Sequence, residues 1–62
     1  MNTSSRDGGV IIEYRALGQS VKVTAIDPIT HEEVSIIGDV RHSQEFLARQ
    51  AVKKLRMMQE KR

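Results

Sequence analysis

From Val10 onward the chain alternates. Val10, Ile12, Tyr14 and Ala16 fall on one side of an extended backbone, and Ile11, Glu13 and Arg15 fall on the other. A period of two among β-branched and aromatic residues is the mark of a strand with one buried face. Val21, Val23 and Ala25 repeat the alternation, as do Val34 and Ile36, so strands are predicted over roughly 10–17, 20–27 and 32–38. After Gly38 the period lengthens. Leu47, Ala48, Ala51, Val52, Leu55 and Met58 form one stripe of a helical wheel, opposite Glu45, Arg49, Lys53, Arg56 and Glu60. This predicts an amphipathic helix over roughly 43–60. Ser43 suits its N-cap, with Asp39 as an earlier candidate.

The turns test this alternation, because a register slip of one residue moves every side chain to the other face. Gly18-Gln19 as a two-residue loop puts glycine first, as a type II′ turn requires. That pairs Leu17 with Ser20, Ala16 with Val21, Tyr14 with Val23, Ile12 with Ala25 and Ile11 with Ile26. A four-residue loop over Pro28 to His31 pairs Asp27 with Glu32, Ala25 with Val34 and Val23 with Ile36. Both turns send the same apolar residues to one face. In the second loop Asp27 is placed to accept bonds from amides two and three residues on, and Pro28 presets φ near −65°. His31 takes the last loop position, which commonly needs left-handed φ and favours glycine.

The fold class expected is α+β: a three-stranded antiparallel β-meander packed on one face by a single C-terminal helix (βββα), spanning residues 10–62. Residues 1–9, MNTSSRDGG, carry no apolar pattern and are expected to be a mobile tail. Strands 10–17 and 32–38 are then both unpaired edges. The second sheet face keeps Ile11, Ile26 and Ile37 among polar neighbours, and Phe46 and Met57 fall outside the helix's core stripe. These five are the candidate self-association residues.

Length sharpens that expectation. A chain of 62 residues holds one domain, and a core of this size rarely supplies more than ~3–5 kcal/mol without a staple. No cysteine is present, which removes disulfides and thiolate metal sites. Association with a second copy or a larger protein partner is the staple left. Missing cysteine, export signal and membrane-length apolar run together fit a cytoplasmic protein. The net charge of +2 hides an asymmetry: three cations meet five acids up to Gly38, and seven meet three from Asp39 on. Cations ending a helix complement its dipole, so part of that asymmetry has a structural explanation.

The segment Val21 to Asp39, VKVTAIDPITHEEVSIIGD, followed by the basic helix ending KKLRMMQEKR, resembles a small bacterial domain of unknown function over roughly residues 10–60. The features that carry the likeness are Asp27-Pro28-Ile29-Thr30, Glu33-Val34-Ser35 and Ala51-Val52-Lys53-Lys54-Leu55. The family pattern has glycine where this chain has His31. The resemblance implies no activity, cofactor or site residues.

Other constellations have plainer readings. Asp39, His42 and Glu45 have helical spacing that could hold a cation, but acids beside a cap also favour the helix dipole. His42-Ser43 lacks the third group and oxyanion site that nucleophilic catalysis needs. No phosphate-binding or zinc-protease motif occurs. The expectation is a non-enzymatic module with no cofactor, metal, small-molecule substrate or membrane partner. The rival is nucleic-acid binding through Arg41, Arg49, Lys53, Lys54 and Arg56. Three strands followed by a basic helix resemble the C-terminal portion of a double-stranded-RNA-binding domain. That domain's preceding helix, and the lysine cluster at its helix N-terminus, are missing here. Tyr14 and Phe46 are the only aromatic residues besides histidine, too few for a base-stacking platform.

Overall fold

The computed structural model describes residues 2–61; Met1, Arg62 and the side chains of Asn2 and Thr3 lie outside the described residues. Four strands and one helix follow in order: β1 (Asn2–Asp7), β2 (Val10–Leu17), β3 (Ser20–Ile26), β4 (Glu33–Asp39) and α1 (Gln44–Glu60). The strands form one antiparallel sheet in the order β1-β2-β3-β4. The class is therefore α+β as expected, but the sheet has four strands, not three.

The additional strand corrects the expected tail over 1–9. Asn2–Asp7 pairs along β2, with Asp7 opposite Val10 and Asn2 opposite Arg15. Gly8 and Gly9 make the turn, with φ of 57° and 85°. Left-handed φ at both central residues is what a two-residue type I′ hairpin requires, and Gly-Gly adopts it without strain. Backbone bonding to β2, rather than apolar burial, makes NTSSRD a strand. The strand over 10–17 is consequently interior, and the free edges are β1 and β4.

The other two hairpins carry the expected register. Leu17 faces Ser20, Tyr14 faces Val23, Ile12 faces Ala25 and Ile11 faces Ile26. Ala25 faces Val34 and Val23 faces Ile36. Gly18 has φ 64°. In the second loop the Asp27 carboxylate accepts from the N–H groups of Ile29 at 2.9 Å and Thr30 at 3.3 Å. The His31 N–H donates to the Asp27 carbonyl at 2.8 Å. His31 sits at φ 67°, the one non-glycine residue with positive φ among the described residues.

The core lies between the sheet and α1. Val10, Ile12, Tyr14, Val23 and Ala25 from the sheet meet Leu47, Ala48, Ala51 and Leu55 from the helix. Val10, Ile12, Val23 and Leu55 are almost wholly removed from water, each worth about 1.5–3 kcal/mol over an exposed side chain. Val52 is half-buried, and Met58, expected in the core stripe, is exposed. Met58 sits in the last turn, beside Ile36 at the sheet's margin. Ala16, on the core face by alternation, is also exposed at the far end of β2.

Ser43 caps the helix, its Oγ accepting the Phe46 N–H at 3.1 Å. Asp39 is not the cap; it accepts the Arg41 N–H at 2.8 Å in the turn that leads into α1. The last turn of α1 contains no cation. Dipole compensation therefore does not explain Lys53, Lys54 and Arg56, which sit in its middle turns.

Candidate interaction surface

α1 lies chiefly over β3 and β4. It runs antiparallel to β4, with Leu47 against Gly38, Lys54 against Ser35 and Gln59 against Glu32. Gly38 has a packing reason: a side chain there would overlap the buried Leu47. One flank of the helix thereby overhangs the β4 edge.

The two sheet edges differ in character. β1 reads NTSSRD and offers no apolar side chain. Beside β4 two grooves open. The larger, about 570 Å³, is lined by Ile36, Lys53, Lys54, Met57, Met58 and their neighbours. The second, about 510 Å³, lies between Ile37 and Gly38 on the strand and Phe46 and Gln50 on the helix. The structure leaves seven large apolar residues exposed among the described residues: Leu17, Ile29, Ile37, Val40, Phe46, Met57 and Met58. Four of the seven line these grooves, so the exposed apolar surface is concentrated rather than scattered.

The backbone of β4 adds hydrogen-bonding capacity to the same place. The Asp27 N–H donates to Glu32 O at 2.9 Å and the Val40 N–H donates to Gln19 O at 3.0 Å, bracketing the strand. Alternation along an antiparallel ladder then turns Val34, Ile36 and Gly38 toward β3, and the N–H and C=O groups of Glu33, Ser35 and Ile37 outward. The Lys54 ammonium donates to the outward Ser35 carbonyl at 2.8 Å. A lysine laid against an edge strand is one way proteins guard such edges.

The five apolar candidates are divided by the fold. Ile37, Phe46 and Met57 gather around the β4 edge. Ile11 and Ile26 pair across strands on the sheet's other face, where both are half-buried. On that face the Thr24 and Ser35 hydroxyls share a 2.8 Å hydrogen bond. Sequence reading missed Ile36, Met58 and Lys61 as surface participants, because it could not say which strands the helix covers.

The basic candidates differ in how they are engaged. Arg41 is bidentate to Asp39, with both contacts at 3.0 Å. Those bonds hold the Asp39 carboxyl below its usual range and the Arg41 guanidinium above its own. Arg49 neighbours Lys53 one helical turn on and also lines a pocket with Tyr14, Glu45 and Ser5. Arg56 donates to Gln59 at 2.8 Å and reaches Asp27 at 3.4 Å. Lys53 and Lys54 remain on the β4 flank, joined there by Lys61.

Asp27 is a structural clasp. Buried at the loop's start, it accepts from the Gln59 amide at 2.9 Å, from the Ile29 and Thr30 N–H groups, and from Arg56. The Gln59 bond leads, and with the two loop N–H bonds and the Arg56 charge it lowers the Asp27 pKa to about 2. Asp39, His42 and Glu45 do not assemble into a cation site. Asp39 is engaged by Arg41, the His42 ring packs on Phe46 at 5.1 Å, and among the described residues no three metal-ligating side chains converge. No helix among the described residues is long and apolar enough to cross a membrane.

A family model described as Domain of unknown function (DUF6898) matches residues 7–62. The chain belongs to that family. The matched span takes in β2, β3, β4 and α1, and nearly all of β1 lies ahead of it. The resemblance seen in Asp27-Pro28-Ile29-Thr30 and the basic helix is thus to a family that carries no assigned activity. Comparison with curated proteins and with solved structures gives no match.

Proposed function

We propose that this domain is a non-catalytic protein-interaction module whose working face is the β4 side: the outer edge of the strand together with the overhanging flank of α1. The observation that carries the reading is the gathering of Ile37, Phe46, Met57 and Met58 beside an edge with outward backbone groups, while the β1 edge is polar. Concentrated apolar surface rimmed by polar groups marks interaction sites, and an edge strand adds main-chain bonds to the affinity. Self-association would use this face or the Ile11–Ile26 pair behind it. Nucleic-acid binding is the lesser reading, since Arg41 and Arg56 are engaged with Asp39 and Asp27.

Site-specific photo-crosslinking in the native host tests this. A photo-reactive residue in place of Met57 should give a discrete adduct, and one in place of Ser4 on the β1 edge should give none. Equal adducts from both positions, or none from either, would refute the assignment of the β4 side.

A further inference from the structure

Resting on that reading, we propose that the occupant of the β4 side is an extended acidic segment of another protein, added to the sheet as a fifth strand with alternate carboxylates beneath Lys53, Lys54 and Lys61. Glu33, Ser35 and Ile37 supply outward N–H and C=O groups for such a strand. A strand paired to β4 lies about 4.8 Å beyond it, beneath the flank of α1. Every second side chain of that strand then enters the larger groove, whose lining among the described residues holds three lysines and no carboxylate. The intervening side chains lie on the other face beside Glu33, Ser35 and Ile37, of which Ile37 alone offers an apolar neighbour. The expected occupant therefore carries a carboxylate at every second position.

The Lys54–Ser35 contact gives the site an exchange step. An incoming backbone N–H takes the Ser35 carbonyl, and the displaced ammonium becomes free to pair with a carboxylate of the occupant. The edge is guarded until a strand of suitable charge arrives.

Charge also decides between this occupant and a second copy. α1 sits over β3 and β4, so pairing two β4 edges would bring the two helices to about 10 Å, twice the strand spacing. Each would present Lys53 and Lys54 to a shared groove that contains no acidic side chain among the described residues. On the reverse face, the exposed Glu33 of each copy would border the same seam. Like charges at that separation oppose pairing, whereas an acidic strand is attracted.

The test is a titration of the ¹⁵N-labelled full chain with the peptide Ac-EVEVEVE-amide, with Ac-KVKVKVK-amide and a twelve-nucleotide oligo-dT as comparisons. The acidic peptide should shift amides of residues 33–39 and 50–61, less strongly as salt rises, while the basic peptide shifts none. Ile37→Pro removes an outward N–H that β3 does not use. It should keep the folded spectrum and abolish the response. The double variant Lys53→Gln/Lys54→Gln, fully on the surface, should weaken binding roughly three- to tenfold, the range for two partly exposed ion pairs.

Several results would overturn the inference: no shifts at millimolar acidic peptide, equal response in the lysine double variant, or oligo-dT shifting the same residues. Concentration-dependent shifts of β4 without peptide would identify a second copy as the occupant. That outcome ends this inference yet leaves the β4 side an interaction face. Absence of the Met57 adduct ends both.

Discussion

Replacing His31 with glycine should make the domain more stable. His31 closes the β3–β4 loop at φ 67°, a region that costs an L-residue about 1–2 kcal/mol because Cβ crowds the following carbonyl. Its side chain is exposed, so removal leaves no hole. Its N–H bond to Asp27 O is a backbone contact that glycine keeps. Against the relieved strain stands the extra freedom of glycine in the unfolded chain, about 0.5–1 kcal/mol. The balance is a gain of roughly 0.5–1 kcal/mol, equivalent to a melting-temperature rise of about 4–8 °C for a domain of this size. Thermal melts followed by far-UV circular dichroism, supported by urea unfolding, measure it. His31→Ala should move the other way, since it keeps the Cβ and loses histidine's tolerance of this region. A His31→Gly melting temperature at or below that of the parent would refute the strain assigned to this position.

Gly38→Ala should cost about 1–3 kcal/mol, the range for overpacking, because the new methyl overlaps Leu47; an unchanged urea midpoint would contradict that packing. Ser43→Ala should cost about 0.5–2 kcal/mol through loss of the helix cap, read from helical circular dichroism and the same urea curve. For Asp27 the folded-state pKa of about 2 lies below the ordinary 3.8. Its charged form thus stabilises the fold fully above about pH 4, and the contribution drains away as pH falls toward the folded value. Stability measured across that window should decline, and Asp27→Asn should be less stable at neutral pH with a shallower acid slope. An identical slope in the variant would remove Asp27 as the source.

Much of the fold was legible because two independent signals agreed. The alternation of Val10 to Ala16, Val21 to Ala25 and Val34 to Ile36 set the faces. Gly18-Gln19 and Asp27 to His31 set the registers; the pairs derived within the strands are present, and Asp27 meets Glu32 through a backbone hydrogen bond just beyond them. Ser43 and the Leu47–Leu55 stripe were readable for the same reason. β1 was not, because Asn2–Asp7 carries no apolar alternation and is held through its backbone. Its one sequence signal is Gly8-Gly9, a two-residue hairpin turn ahead of a strand.

The surface was harder to read for a different reason. Helical periodicity says which face of α1 is buried but not which strands it covers. Its placement over β3 and β4 decides that Phe46 and Met57 join Ile37, and that Ile11 and Ile26 do not. Met58 moved from expected core to groove because the last turn reaches the sheet's margin.

Residue-resolved amide hydrogen exchange of the free domain in dilute solution is the most direct check that β4 is an open edge. The amides of Ser35 and Ile37 should exchange rapidly while those of Ile36 and Gly38 stay protected, in alternation along the strand. Uniform protection of all four would mean the edge is already occupied, and the β4 side could not then receive a partner strand as proposed.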